Sequence, residues 1–152
     1  MEEKPFDISV VAAETAGRFL TRAAAEGVRL EVEVPDRLPV RGDPGSTSQI
    51  LAVLLDNAIR YTPKGGDVTV RARQLDDDRA EASVEATGPG VPPEHLPRVF
   101  DRFYRAEAAR SRAGGGAGLG LSIARALASA QNGDLTACNA GGAVFRLKLP
   151  KQ

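Results

Sequence analysis

Four residues of the segment "VLLDNAIRY" fall at positions i, i+4, i+7 and i+8: Val53, Asn57, Arg60 and Tyr61. On a helix they form one stripe beside the apolar residues Leu51, Leu54, Leu55 and Ala58. An amide oxygen can ligate a hard cation, a guanidinium can hold a phosphate, and a phenol ring can stack on a planar ligand. The same stripe is equally the partly solvated edge of a helix, and alone it decides nothing. Two glycine clusters lie downstream. "TGPGVP", with Gly88 and Gly90, follows an alternating strand and lets main chain approach a ligand, although most such turns only reverse the chain. "GGGAGLGL", beginning at Gly114, ends where Gly118 and Gly120 open a helix whose free N–H groups and positive dipole end suit an anion. It is no Walker loop, since no Gly-Lys-Ser/Thr follows. Between the clusters, residues 98–112 hold five arginines against Asp101 and Glu107, a local charge of +3. That segment is either a solvated loop or one that closes over a polyphosphate.

The elements that must position these residues are legible from periodicity. Residues 9–26 read as a helix capped by Ser9 and closed by Gly27, and "VRLEVEV" alternates as a half-buried strand. Residues 46–61 return to helical spacing and stop before Pro63. Strands 67–75 and 79–86 are too close for anything but an antiparallel hairpin around "DDD". From 92 to 116 no apolar period persists. A helix resumes near Leu119 and ends at "QNG", and strands 134–139 and 143–149 form a closing hairpin. The expected fold is α+β, a two-layer α/β sandwich in which about five strands of a mixed, mostly antiparallel sheet pack on three helices.

Composition sets the outer limits. A chain of 152 residues suits one domain, 1–152, with its core at about 6–150. Twenty basic residues balance twenty acidic ones, which argues against a nucleic-acid or membrane-coating role. No apolar run reaches spanning length, and a cytoplasmic location is expected. The single cysteine, Cys138, excludes an internal disulfide and a cysteine-built zinc site.

Taken in order and at these intervals, "LLDNAIRYTP", "TGPGVPPEHLPRVFDRFYR" and "GGGAGLGLSIARALA" resemble the N, G1, F and G2 boxes of the catalytic, ATP-binding domain of bacterial sensor histidine kinases. The resemblance covers nearly the whole chain, roughly residues 6–150, and four ordered boxes are far more specific than one glycine loop. It implies the Bergerat fold of the GHKL group, with a mobile ATP lid over about 104–117. By position it implies Asn57 as Mg²⁺ ligand, Arg60 as a phosphate contact and Tyr61 as an adenine neighbour. Ala86, Gly88 and Gly90 fall at the base pocket, and Phe100 and Phe103 at the root of the lid. Tyr104 falls at an adenine or ribose contact, Arg105 at a γ-phosphate contact, and Gly116, Gly118, Leu119, Gly120 and Leu121 at the phosphate-receiving G2 segment. Asn57 and Arg105 are thus the implied catalytic residues. The implied activity is transfer of the ATP γ-phosphoryl group to a histidine on a separate dimerisation domain, upstream of a response regulator, in the cytoplasmic part of a membrane-anchored kinase. The isolated domain is expected to be a monomer that touches neither nucleic acid nor membrane.

Two positions depart from the pattern. The family's G1 box begins with an aspartate that accepts the adenine amino group, and here that position is Ala86. Glu85 cannot take over, because it shares the opposite strand face with Glu81, which leaves the Thr87 hydroxyl or a water as substitutes. Val53 stands where kinases carry another asparagine and the related ATPases a water-activating glutamate. The alternative reading is therefore a degenerate module that docks on the dimerisation helices and binds ATP weakly or not at all. The one histidine, His95, falls in the loop after G1 and reads as exposed, not as the phosphoacceptor.

Overall fold

The computed structural model describes residues 3–102 and 120–152. Its elements in chain order are β1 (Lys4–Asp7), α1 (Ile8–Gly17), α2 (Leu20–Ala25), β2 (Arg29–Glu33), β3 (Pro39–Gly42), α3 (Pro44–Tyr61), β4 (Asp67–Gln74) and β5 (Arg79–Ala86). A short 3-10 helix (Pro93–Arg98), α4 (Gly120–Ala130), β6 (Asp134–Asn139) and β7 (Ala143–Pro150) follow.

The main sheet has the order β2-β4-β5-β7-β6, with β2 parallel to β4 and every other pair antiparallel, so the expected mixed sheet of five strands is present. Its inner face carries Val68 and Val70 from β4, Ala80, Ala82 and Val84 from β5, and Leu147 and Leu149 from β7, all buried against the helices. Its outer face carries charge. Glu81, only 3% exposed, is held between Arg146 at 3.0 Å and Arg73 at 3.3 Å, and Glu85 pairs with Arg71 at 2.9 Å. Glu85 thus faces away from the core, as its strand phase requires.

The α3 helix is fixed at both ends by local chemistry. Asp43 caps it, its Oδ1 accepting from Gly45 N at 2.9 Å and Ser46 N at 3.3 Å, and Pro44 sits in the first turn, where no N–H is missed. Ile50, Leu51, Leu54, Leu55 and Ile59 are fully buried. Each contributes roughly 1.5–3 kcal/mol relative to an exposed side chain, so packing rather than propensity holds the helix. Gln131, beyond the end of α4, accepts from Asp43 N through Oε1 at 2.8 Å and ties the two helices together.

Three expectations need correction. The single helix over 9–26 is two helices, because the chain turns tightly at Arg18 and Phe19, whose N–H groups donate to Thr15 O and Ala16 O. The first cap is Asp7 rather than Ser9: Asp7 Oδ1 accepts from Ser9 N at 2.9 Å and from Leu38 N at 3.1 Å. A second, two-stranded sheet pairs β1 with β3, and four-residue strands containing Pro5 and Pro39 carry too little alternation to be read from sequence.

Candidate functional site

The stripe of α3 stands as the spacing implies, with Val53, Asn57, Arg60 and Tyr61 all half-buried. Asn57 Nδ2 donates to Val53 O at 2.9 Å, which orients the amide and leaves Oδ1 as its acceptor. Arg60 is bonded through Nη2 to Asp56 Oδ2 at 2.8 Å, one turn back on the same helix. Asp56 Oδ1 in turn accepts from Arg22 of α2, whose Nε also holds Glu26 at 3.1 Å. Burial pulls the Arg22 pKa down, but the bonds to Asp56 and Glu26 outweigh it and hold the guanidinium above its ordinary value.

Two other pieces meet this helix. Near its middle, the first residue of α4 comes so close to Val53 that a Cβ on Gly120 would lie 3.3 Å from Val53 Cγ1. Gly120, the first described residue of α4, therefore packs against the stripe. Leu121 beside it is half-buried against the core. At the C-terminal end of α3 lies the Gly-Pro-Gly turn, and a Cβ on Gly88 would sit 3.1 Å from Pro63 Cδ. Eight residues of helix, a span of about 12 Å, run from Val53 to the end of α3 at Tyr61, and Pro63 lies two residues beyond.

The turn itself is wedged. Gly88 and Gly90 have φ of 122° and 75°, so side chains would be strained at both. Thr87 Oγ1 accepts from Asp67 N at 2.9 Å, which spends on β4 the hydroxyl expected to stand in beside Ala86. Ala86 itself is 8% exposed and belongs to the apolar face of β5. On the far side, Asn139 donates through Nδ2 to Val91 O at 2.7 Å and accepts from Val91 N at 3.0 Å.

Beyond the turn, Phe100 is gripped from two sides. Its ring meets Phe145 edge-on at 6.4 Å, and the Arg125 guanidinium lies over it at 4.6 Å. His95 lies in the 3-10 helix and is half-buried rather than exposed.

Asn57, Arg60 and Tyr61 thus share one helix, with Gly120, followed by Leu121, against its Val53 and Gly88 against Pro63 just beyond its end; Ala86 and Gly90 flank Gly88 in the strand end and turn. Phe103, Tyr104, Arg105, Gly116, Gly118 and Leu119, and with them the proposed lid, lie outside the described residues. Sequence reasoning missed the Arg22–Asp56 link, Asn139 and Arg125. The first and last join elements distant in sequence and have no local signal. Asn139 ends a strand immediately before "AGG", a place where a side-chain amide often serves a neighbouring backbone.

Over residues 42–152 the chain matches the family described as histidine kinase-, DNA gyrase B- and HSP90-like ATPases. The chain belongs to that family. A relative of known identity, the signal transduction histidine-protein kinase BaeS of Escherichia coli (strain K12), is 35% identical over 151 residues. The match takes in 98% of this chain but 32% of that kinase, so the chain spans about a third of its length. Among solved structures, the mycobacterial sensor histidine kinase MprB superposes with a TM-score of 0.85 at 30% identity, covering 99% of both chains. Full-length ShkA in complex with AMPPNP gives 0.85 at 30% identity, covering 99% of this chain and 31% of that one. Membership in this ATPase family implies nucleotide binding, and the sandwich described above is its fold. Among the described residues no helix is long and apolar enough to cross a membrane.

A magnesium ion is compatible with these residues on one observation: Asn57 has its Nδ2 engaged and offers Oδ1. Among the described residues no group of three or more His, Cys, Asp or Glu could form a metal cage. A hard cation carried largely by substrate phosphates and waters needs only such a single ligand.

Proposed function

We propose that this ATPase-family chain is the ATP-binding catalytic domain of a sensor histidine kinase and transfers the γ-phosphoryl group of ATP to a histidine on a separate dimerisation segment. The observation that carries this is the placement of the α3 stripe between the glycine turn at one end and the start of α4 at the other. On this reading residues 86–91 and Tyr61 receive the base, while Arg60 and the N–H groups at the start of α4 receive phosphate oxygens. Arg105 completes the charge at the γ-phosphate. A Mg²⁺ ion held by Asn57 Oδ1 would supply charge neutralisation on the phosphates. A ring nitrogen of the acceptor histidine forms the new N–P bond as the bond from phosphorus to the bridging oxygen breaks, and the electron pair leaves with ADP. No protein nucleophile is needed, so the domain's part is positioning and electrostatics. Val53 offers no base for water, which favours transfer over hydrolysis. A response regulator would take the phosphoryl group next, and the cytoplasmic side of a membrane-anchored parent would be the setting. A module that merely docks is not favoured, because the turn, the stripe and the α4 start keep their mutual arrangement despite Ala86 and Val53.

The test is incubation with γ-labelled Mg·ATP, with and without a helical phosphoacceptor domain from a relative. Acid-labile, base-stable label is expected on the acceptor domain alone. Stable label on His95, or no binding of ATP at millimolar concentration, overturns the reading.

A further inference from the structure

We propose that the tip of the β6–β7 hairpin braces the base-binding turn from behind, with Asn139 as the positioning residue that fixes the turn at 87–91. This rests on the reading that the turn receives the base. Asn139 ends β6, and its side-chain amide makes both bonds to Val91 that a neighbouring strand's backbone would make: Nδ2 to Val91 O at 2.7 Å, and Val91 N to Oδ1 at 3.0 Å. The fit is closed from the turn's side as well. A Cβ on Gly90 would lie 2.5 Å from Asn139 Oδ1, so this amide occupies the space that only a glycine leaves. Three residues along the hairpin, a Cβ on Gly142 would lie 1.7 Å from Ala86 O, so the hairpin tip presses on the carbonyl where β5 gives way to the turn.

Besides the packing of Gly88 on Pro63 and of Val91 on the core, the turn has few other hydrogen bonds. Thr87 is tied to Asp67, while Pro89 and Pro92 have no N–H to give. With Asn139 in place, the turn holds one conformation before any ligand arrives. Without it, residues 88–91 sample many conformations, and the ligand has to order them on binding, which lowers apparent affinity by the fraction of protein in the competent state. Asn139 touches no ligand in this scheme; it acts through Val91.

The experiment compares wild type with Asn139→Ala by calorimetry with Mg·ATP, by amide hydrogen exchange with and without saturating ATP, and by thermal melting. Exposed Asn139 is not needed for the core, and a nearly unchanged melting temperature is expected. Affinity for ATP should fall by about five- to twentyfold. Exchange at 88–91 should quicken in the empty protein and return to the wild-type rate at saturation, a restoration that a general structural lesion would not show. Asn139→Asp keeps the acceptor for Val91 N but opposes Val91 O with a second oxygen, and should behave like Asn139→Ala. Wild-type protein that binds no ATP overturns the functional reading and this inference with it. Wild-type binding that survives Asn139→Ala undiminished overturns this inference alone, as does a loss of affinity without faster exchange at 88–91.

Discussion

At the turn, Gly142 lies against Ala86 O and Gly90 against Asn139 so closely that neither leaves room for a methyl group. Along α3, Asp56 holds Arg60 and Arg22 through side chains that are 33%, 18% and 38% exposed. One end of the candidate site is thus shaped by backbone packed against backbone and against the Asn139 amide, and its described turn, residues 86–91, carries no charged side chain. The other is shaped by ion pairs that water and salt can reach. Steric fit at the first end is unforgiving, because a close-packed contact cannot be screened or relaxed. Charge at the second is weakened by solvent, and its geometry can adjust.

The largest effect should therefore come from the smallest substitution at the turn end. Gly142→Ala adds a methyl group at φ 140° that would lie 1.7 Å from a backbone carbonyl oxygen. Strain and overlap together should cost about 2–5 kcal/mol. Its neighbour separates the two causes: Gly141 has φ 72° and nothing within 4 Å of its hypothetical Cβ, so Gly141→Ala should cost only the strain, about 1–2 kcal/mol. Urea unfolding of both variants checks this. Equal losses would mean that the contact with Ala86 contributes nothing, and the contrast between the two ends would fail.

Next in size is the restoration of a charge at the end that lacks one. On the proposed reading the adenine amino group meets Ala86 without a charged acceptor, and Thr87 Oγ1 is already committed to Asp67. A hydrogen bond to a charged group contributes roughly 1.5–3 kcal/mol, about ten- to a hundredfold in dissociation constant. Ala86→Asp should tighten ATP by about that factor and GTP much less, since guanine presents a carbonyl there. Position 86 is 8% exposed on the apolar face of β5, so the same variant should unfold at lower urea when empty. Calorimetry with both nucleotides decides, and an aspartate that gains no adenine selectivity would place the base elsewhere.

Legibility followed the same division. The α3 stripe, the strand phases that put Glu85 outside and Ala86 inside, and the five strands of the main sheet were readable because each depends on a local period. The break at Arg18 and Phe19 was not, since Phe19 keeps its half-buried place in the core across the turn and the apolar spacing runs on. Nor were β1 and β3, whose pairing is set by tertiary contact. At the site, the residue types of the boxes were legible and their supports were not. Asn139 reaches Val91 across 48 residues, and Arg22 reaches Asp56 across 34. Supports of that kind have no spacing to detect, and they decide whether a box is held in working geometry.

The smallest effect should come from the support at the charged end. Asp56 divides its two oxygens between Arg22 and Arg60, so Arg22 neutralises part of the carboxylate that Arg60 would otherwise have to itself. Arg22→Ala removes that competitor. Asp56 should then hold Arg60 more tightly and leave its guanidinium less available to phosphate. Both Arg22 and Asp56 are about a third exposed, so solvent and side-chain entropy keep the pair's contribution to stability below about 1 kcal/mol. The expected result is a two- to threefold weaker ATP affinity at 0.15 M salt, roughly 0.5 kcal/mol, which shrinks towards nothing near 0.5 M. The Asn139→Ala loss, being a matter of neutral hydrogen bonds and ordering, should persist across the same salt range. Titrating ATP into both variants at the two salt concentrations sets the ends of the site against each other. Salt dependence at Asn139, or salt independence at Arg22, would reverse the roles assigned to them.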